Sequence, residues 1–343
     1  MWRWTKTWIR PLWEAGMPLA PLSSSSLTLP MYSSSSPSPA IPPAEGFPDP
    51  FSIKAEEWVY GTTFSTLLPS PSFVLSPTRP VPLSYKLLEG QNTQPPLIFL
   101  HGLFGSKIIF EYEAKALAKR TGRKVLTVDA QNHRESPSSP DCSYEAMSTD
   151  LEALLLKLGL APCVLIGHCM GGKTAMVLAL QKPELVERLI PVDVSPTVTT
   201  AFPEVWTYMK AMKSLNIPKE LNFSEAQKLA HEKLSQSIKN PVNRQYMINN
   251  LMLVNGQYIW KVNSEALSQQ MDKIMDFPQI QGSYSGPTLF LRGAKSSYIQ
   301  PSHLPEIKRL FPQAQILTIP KAGHCIHAYQ PQDFLTHIQN FLS

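Results

Sequence analysis

From about residue 81 the chain alternates short, wholly apolar runs with longer stretches whose apolar residues recur at helical spacing. "PPLIFL" (95–100), "KVLTVDA" (124–130), "CVLIG" (163–167), "LIPVDV" (189–194), "TLFLRG" (288–293) and "QILTIP" (315–320) read as strands. They are apolar throughout rather than at every second position, the pattern of parallel strands covered on both faces. Between them "FEYEAKALAKRTG", "SYEAMSTDLEALLLKLGL" and "GGKTAMVLALQKPELV" read as helices, the first stopped by Gly122. Strand and helix in alternation predict an α/β fold, with a mostly parallel central sheet and helices on both faces.

Residues 197–285 break this rhythm. They offer only helical patterns, such as "PEVWTYMKAMKSL", "SEAQKLAHEKLSQSI" and "SEALSQQMDKIMDF", which predicts an inserted, all-helical cap over the strand ends. Met209, Met212, Met247, Met252, Met271 and Met275 lie in it, and most are expected to pack helix on helix rather than to line a pocket.

Prolines gather ahead of the pattern: 14 of the 33 precede residue 81, marking 45–80 as a Pro-rich linker and 81–343 as the folded domain. Residues 1–44 carry Arg3, Lys6 and Arg10, a single acid (Glu14) and two serine runs. That basic, Ser-rich, acid-poor composition predicts an organelle transit peptide, while Pro11, Glu14 and Pro18 interrupt any secretory apolar core. No stretch approaches the ~20 apolar residues of a membrane-spanning helix. Net charge is +5, and residues 45–343 hold 28 basic against 25 acidic groups, too mild a balance to suggest nucleic acid as a partner. Cys142, Cys163, Cys169 and Cys325 fit no C-x-x-C or zinc spacing and read as free thiols in a reducing compartment.

One strand–helix junction carries chemistry. "VLIGHCMGGKTAM" (164–176) has the outline of the G-x-S-x-G elbow, in which a sharp turn presents a nucleophile at the head of a helix. Here Cys169 stands at the nucleophile's place, and a helix N-terminus favours its thiolate. His324, in "PKAGHCIHA" after the last strand, is where a relay of this chain order places its base, whereas His327 points elsewhere if a helix starts there. "FLHGLFGS" (99–106) follows the first strong strand, so the N–H groups of Leu103 and Met170 are the expected oxyanion donors. Two acids remain open: Asp193, at the end of a strand, and Glu265, in the cap. A rigid strand end orients an imidazole better, which favours Asp193. The loop after the next strand, "RGAKSSYIQ", holds no carboxylate at all. Such a relay requires no cofactor or metal.

"HGLFGSK", "LTVDAQNH", "YEAMSTDLEALL", "GHCMGGKTAM", "ELVERLIPVDVSP", "GPTLFLRG" and "AGHCIHA", in that order across 81–343, resemble the α/β-hydrolase domain-containing protein eleven family and its YbfF-like esterase relatives. The resemblance implies an α/β-hydrolase fold with a helical cap, esterase or lipase activity on acyl esters such as acylglycerols, and a Cys169–His324 pair. For the acid it leaves both Asp193 and Glu265. For the animal members it implies a mitochondrial location and a link to the 2-oxoglutarate dehydrogenase complex.

Against that family's pattern, Cys169 replaces a serine, Arg134 a glycine, Cys325 a tryptophan and Glu265 an aspartate. Arg134 is expected to place bulk and charge beside the pocket mouth. Three readings follow: an ester hydrolase shifted by sulfur toward thioesters or activated esters, a catalytically impaired binding protein, and a redox sensor pairing Cys169 with Cys325.

Overall fold

A computed structural model describes residues 79–200 and 204–343. The expected transit peptide, and the Pro-rich linker up to residue 78, lie outside the described residues.

In chain order the strands are β1 (Tyr85–Leu88), β2 (Leu97–Leu100), β3 (Val125–Val128), β4 (Cys163–His168), β5 (Val186–Val192), β6 (Leu251–Val254), β7 (Gln257–Trp260), β8 (Thr288–Gly293) and β9 (Ala314–Ile319). The α-helices are α1 (Glu111–Thr121), α2 (Tyr144–Leu158), α3 (Met170–Gln181), α4 (Val205–Ser214), α5 (Phe223–Leu234), α6 (Pro241–Ile248), α7 (Ser264–Gln269), α8 (Met271–Met275), α9 (Leu304–Leu310), α10 (Ile326–Tyr329) and α11 (Pro331–Leu342).

Seven strands form one sheet in the order β1-β3-β2-β4-β5-β8-β9. All pairings are parallel except β1 with β3, so β1 is an antiparallel edge, half-exposed and short. The all-apolar runs are explained by burial on both faces. Leu97 and Phe99 point into one core with Phe110, Leu117, Phe334 and Ile338. Ile98 and Leu100 point into the other, with Val128, Leu151, Leu155 and Met176. The order reverses between β2 and β4, and such a switch point opens a crevice at the carboxyl ends of the strands. Gly102–Leu103, Cys169, Asp193, Ser296 and His324 follow β2, β4, β5, β8 and β9 in turn.

Between β5 and β8 lies the cap, which corrects the expectation of an all-helical insertion. Beside α4 to α8 it contains a β-hairpin, β6 paired antiparallel with β7. Asn255 and Gly256 join the strands with φ of 50° and 75°. Positive φ at both central residues is a type I′ turn, whose twist matches that of the flanking strands, and Asn-Gly is its preferred sequence. Of the cap methionines, Met209, Met212, Met247 and Met271 are buried, as expected of packing residues. Among the described residues, no helix is long and apolar enough to cross a membrane.

Candidate active site

β4 runs into α3 through Cys169, whose φ of 50° and ψ of −116° lie outside the ordinary wells of a residue with a Cβ. The turn is held from both sides. Cys169 donates its N–H to Val192 of β5 at 3.1 Å, and its carbonyl accepts from Gly172 at 2.9 Å and Lys173 at 3.1 Å. The helix then passes so close to β2 that a Cβ on Gly171 would lie 2.6 Å from the His101 carbonyl oxygen. Only glycine allows that approach, which sets Cys169 beside the turn after β2.

That turn is fixed by two histidines. His101 Nδ1 donates to the Gly102 carbonyl at 2.8 Å, and its Nε2 accepts the Ala130 N–H at 3.0 Å. His133 Nδ1 donates to the Gln131 carbonyl at 2.9 Å, and its Nε2 accepts the Phe104 N–H at 3.1 Å. Each ring must keep one bare nitrogen, so both are neutral. Burial agrees, lowering His101 to about 4 and His133 to about 3. Phe104 is left with φ of 63°, and Asn250 of the cap donates to its carbonyl. Among the described residues, no hydrogen bond consumes the backbone N–H of Leu103 or of Met170.

His324 follows β9 and donates from Nδ1 to Asp193 Oδ2 at 2.8 Å. Asp193 is wholly buried with φ of 50°, its Oδ1 accepting the Gly293 N–H at 2.9 Å and its Oδ2 the hydroxyl proton of Ser296. The carboxylate is thus fully engaged, as a buried acid must be. Burial alone would lower the His324 pKa. The charge of a Cys169 thiolate and the hydrogen bond to Asp193 outweigh it and raise the imidazolium to about 9.

Cys169, His324, Gly102 and Leu103 line one cavity, together with Tyr208, Asn243, Tyr246 and Met247 of the cap. Met247 is the one of the six cap methionines at its wall.

Several expected residues lie elsewhere. Glu265 is on the surface, its side chain 70% exposed, and accepts from Lys213 at 3.2 Å and Gln269 at 2.9 Å. It is not the partner of His324. Arg134 is not among the residues that line the cavity. Its N–H donates to the Lys261 carbonyl at 2.5 Å and its guanidinium to that of Asn249 at 2.8 Å, so it ties the core to the cap. Its φ of 45° is the left-handed region that favours glycine. Cys325 does face the cavity, and burial, with the charges of Cys169 and Asp193 behind it, pushes its thiol up to about 12. His327 stands in α10, one residue past its start, and packs on Phe110 and Phe334.

Ser296 and Tyr298 escaped the sequence reading, although both stand in the loop noted for its missing carboxylate. Tyr298 stacks on His324 with ring centroids 3.6 Å apart and planes 16° from parallel. His168 was also overlooked. Its Nε2 donates to the His324 carbonyl at 3.1 Å, and its ring lies 4.5 Å from that of His324. An alternation of apolar and small residues gives no hint of either contact, because both depend on how separate strand ends converge.

The model of the alpha/beta hydrolase fold matches residues 95–331. The mouse protein named sn-1-specific diacylglycerol lipase ABHD11 is 56% identical over 265 residues, covering 77% of this chain and 86% of the relative. Esterase YbfF of Escherichia coli is 28% identical over 257 residues, covering 74% of this chain and 96% of the relative. A solved structure titled marine microorganism esterase superposes with a TM-score of 0.69 at 34% identity, covering 76% of this chain and 99% of that one. The chain therefore belongs to the α/β-hydrolase family, in the branch that holds the ABHD11 lipases and the YbfF-like esterases.

Proposed function

We propose that this protein is a carboxylic ester hydrolase for acylglycerols and related acyl esters, with Cys169 as nucleophile, His324 as base and Asp193 as the acid that orients it. One observation carries the reading: His324, hydrogen-bonded to the buried Asp193 at 2.8 Å, lines the same cavity as the strained elbow cysteine. The names of the relatives, a diacylglycerol lipase and esterases, support the substrate class.

The thiol proton of Cys169 passes to His324 Nε2, and the sulfur attacks the acyl carbon. The carbonyl π pair moves onto oxygen, which the Leu103 and Met170 N–H groups receive. Collapse of this intermediate breaks the C–O bond, and the leaving alcohol takes the proton from His324. Water, deprotonated by the same imidazole, then cleaves the thioester, releasing the carboxylic acid and restoring the thiol. Sulfur's longer bonds move the oxyanion relative to its donors, so thioesters and activated esters turn over faster than lipid esters.

The test is a panel of aryl, thio- and glycerolipid esters offered to the wild type, Cys169→Ser and Cys169→Ala. The wild type is expected to hydrolyse activated esters and the alanine variant to lose at least about 10³-fold. Equal rates in both would sink the assignment of Cys169. A second reading, a binding protein that has lost turnover, draws on Cys325 at the cavity wall. It requires an inert wild type, with full hydrolysis restored only when Cys169→Ser is combined with Arg134→Gly.

A mitochondrial matrix location is supported by the N-terminal composition, and an association with the 2-oxoglutarate dehydrogenase complex by the family resemblance. Import of a fusion of residues 1–44 with a reporter tests the first, and co-purification with that complex tests the second.

A further inference from the structure

Two rings pack against His324. Tyr298 covers one face of the His324 ring at 3.6 Å and 16° from parallel, while the ring of His168 approaches at 4.5 Å and 43°. The groups with charge or protons around this imidazole are Cys169, Asp193, Tyr298, His168, Cys325 and His327. Most of them are held neutral. His168 gives its only ring hydrogen to the His324 carbonyl, and burial pushes both His168 and His327 far below the ordinary histidine range. Burial first, and then the charges of Cys169 and Asp193, keep the Tyr298 phenol protonated. The ring on His324 is therefore an uncharged, electron-rich π face.

Such a face discriminates between two states of its neighbour. A neutral imidazole gains only dispersion from the stack, whereas an imidazolium also meets the negative side of the ring quadrupole. Tyr298 is 9% exposed, so little water screens the contact. Its backbone is also anchored: the Tyr298 N–H donates to Ser296 Oγ at 3.3 Å, and its carbonyl accepts from Ser195 Oγ at 3.2 Å. Ser296 in turn donates to Asp193. One loop thus carries both the π face and a donor to the acid, taking the part of the carboxylate that its sequence lacks.

We propose that Tyr298 is a positioning residue that stabilises the imidazolium of His324, and with it the Cys169 thiolate–His324 imidazolium pair, by stacking its π face on the charged ring. In the step concerned the proton leaves Sγ and binds Nε2, and no other bond changes. The proposal rests on His324 being the base for Cys169, but its test reads protonation and needs no ester to be turned over.

The experiment follows the His324 ring by NMR of isotope-labelled histidine from pH 5 to 11, beside alkylation of Cys169 by iodoacetamide at pH 7, read by peptide mass spectrometry. Wild type, Tyr298→Phe, Tyr298→Leu and a chain with pentafluorophenylalanine at 298 are compared. Phenylalanine keeps the π face and should leave the His324 midpoint within about 0.3 pH units. Leucine removes that face and should lower the midpoint by about one unit, while Cys169 alkylation at pH 7 slows by less than about twofold because His324 stays protonated there. The fluorinated ring keeps the shape but reverses the quadrupole, so it should act as leucine does, and it answers the question if the leucine variant does not fold. A His324 midpoint unchanged by the fluorinated ring overturns the proposal. Loss of ester turnover in Tyr298→Leu with an unshifted midpoint also overturns it, and makes Tyr298 a substrate contact instead.

Discussion

Lys173 donates from its buried Nζ to the carbonyl of Asp276 at 2.8 Å, and to that of Met275 at 2.9 Å. It sits one turn beyond Cys169 on α3, and those carbonyls close α8, the last helix of the cap. A cation there satisfies acceptors that a helix end leaves without partners. Lys173→Met keeps the length of the side chain but removes the donor to Asp276, while the Met275 carbonyl keeps the Thr199 N–H at 2.7 Å. It should cost about 1–3 kcal/mol, measured as a lower urea midpoint, and should lower ester turnover by loosening the cap over the cavity.

The two carboxylates once open as the acid are separated by their surroundings. Asp193→Asn keeps the shape but gives up the charge that holds Nδ1–H of His324, and should lower kcat/KM by about 10²- to 10⁴-fold. Glu265 meets only Lys213 and Gln269 at the surface, so Glu265→Gln should change kcat/KM less than about twofold. Steady-state kinetics on one activated ester decides between them.

Acid should unfold this protein early. His101, His133 and His327 are held by burial at about 4, 3 and 3, against 6.5 for the free side chain. In each case the unfolded chain binds a proton that the folded chain refuses, so stability falls as pH drops below 6.5. Each such histidine costs about 2 kcal/mol at pH 5. His327 is the best one to test, because its buried Nδ1 has no partner among the described residues and its neighbours include Phe110 and Phe334. His327→Phe should flatten the dependence by one proton, and raise stability at pH 5 more than at pH 7.5, in denaturant titrations at the two pH values.

The cap hairpin depends on one glycine. A Cβ on Gly256 would meet nothing within 4 Å, so any penalty there comes from its φ of 75° rather than from crowding. Gly256→Ala should cost about 1 kcal/mol. Hydrogen exchange should show that loss in β6 and β7 while the central sheet keeps its protection.

Much of the scaffold was legible because burial on both faces writes itself into a strand as an unbroken apolar run. All six runs read as strands are strands of the sheet, within a few residues at their ends. The edge strand β1 was passed over because "YKLL" is half-exposed and carries no such run. The hairpin was passed over despite its Asn-Gly turn, because "LMLV" and "QYIW" were set among amphipathic helices whose period dominated the reading. Arg134 was placed by its neighbours in sequence, and the loop instead turns its side chain to the cap.

What the sequence determined by itself is local: strands from apolar runs, the elbow from small residues around Cys169, and a histidine after the last strand. Those signals are local because each turn or buried run constrains only the residues within it. The tertiary structure alone decided which acid meets His324, that Ser296 donates to Asp193 and Tyr298 stacks on His324, and that Cys325 faces the cavity while Arg134 does not. Asp193 lies 131 positions from His324 and 103 from Ser296, and each of these residues follows a different strand. Their contacts arise only when the parallel strands bring their carboxyl ends to one crevice, and that convergence is a property of strand order, which no single segment contains.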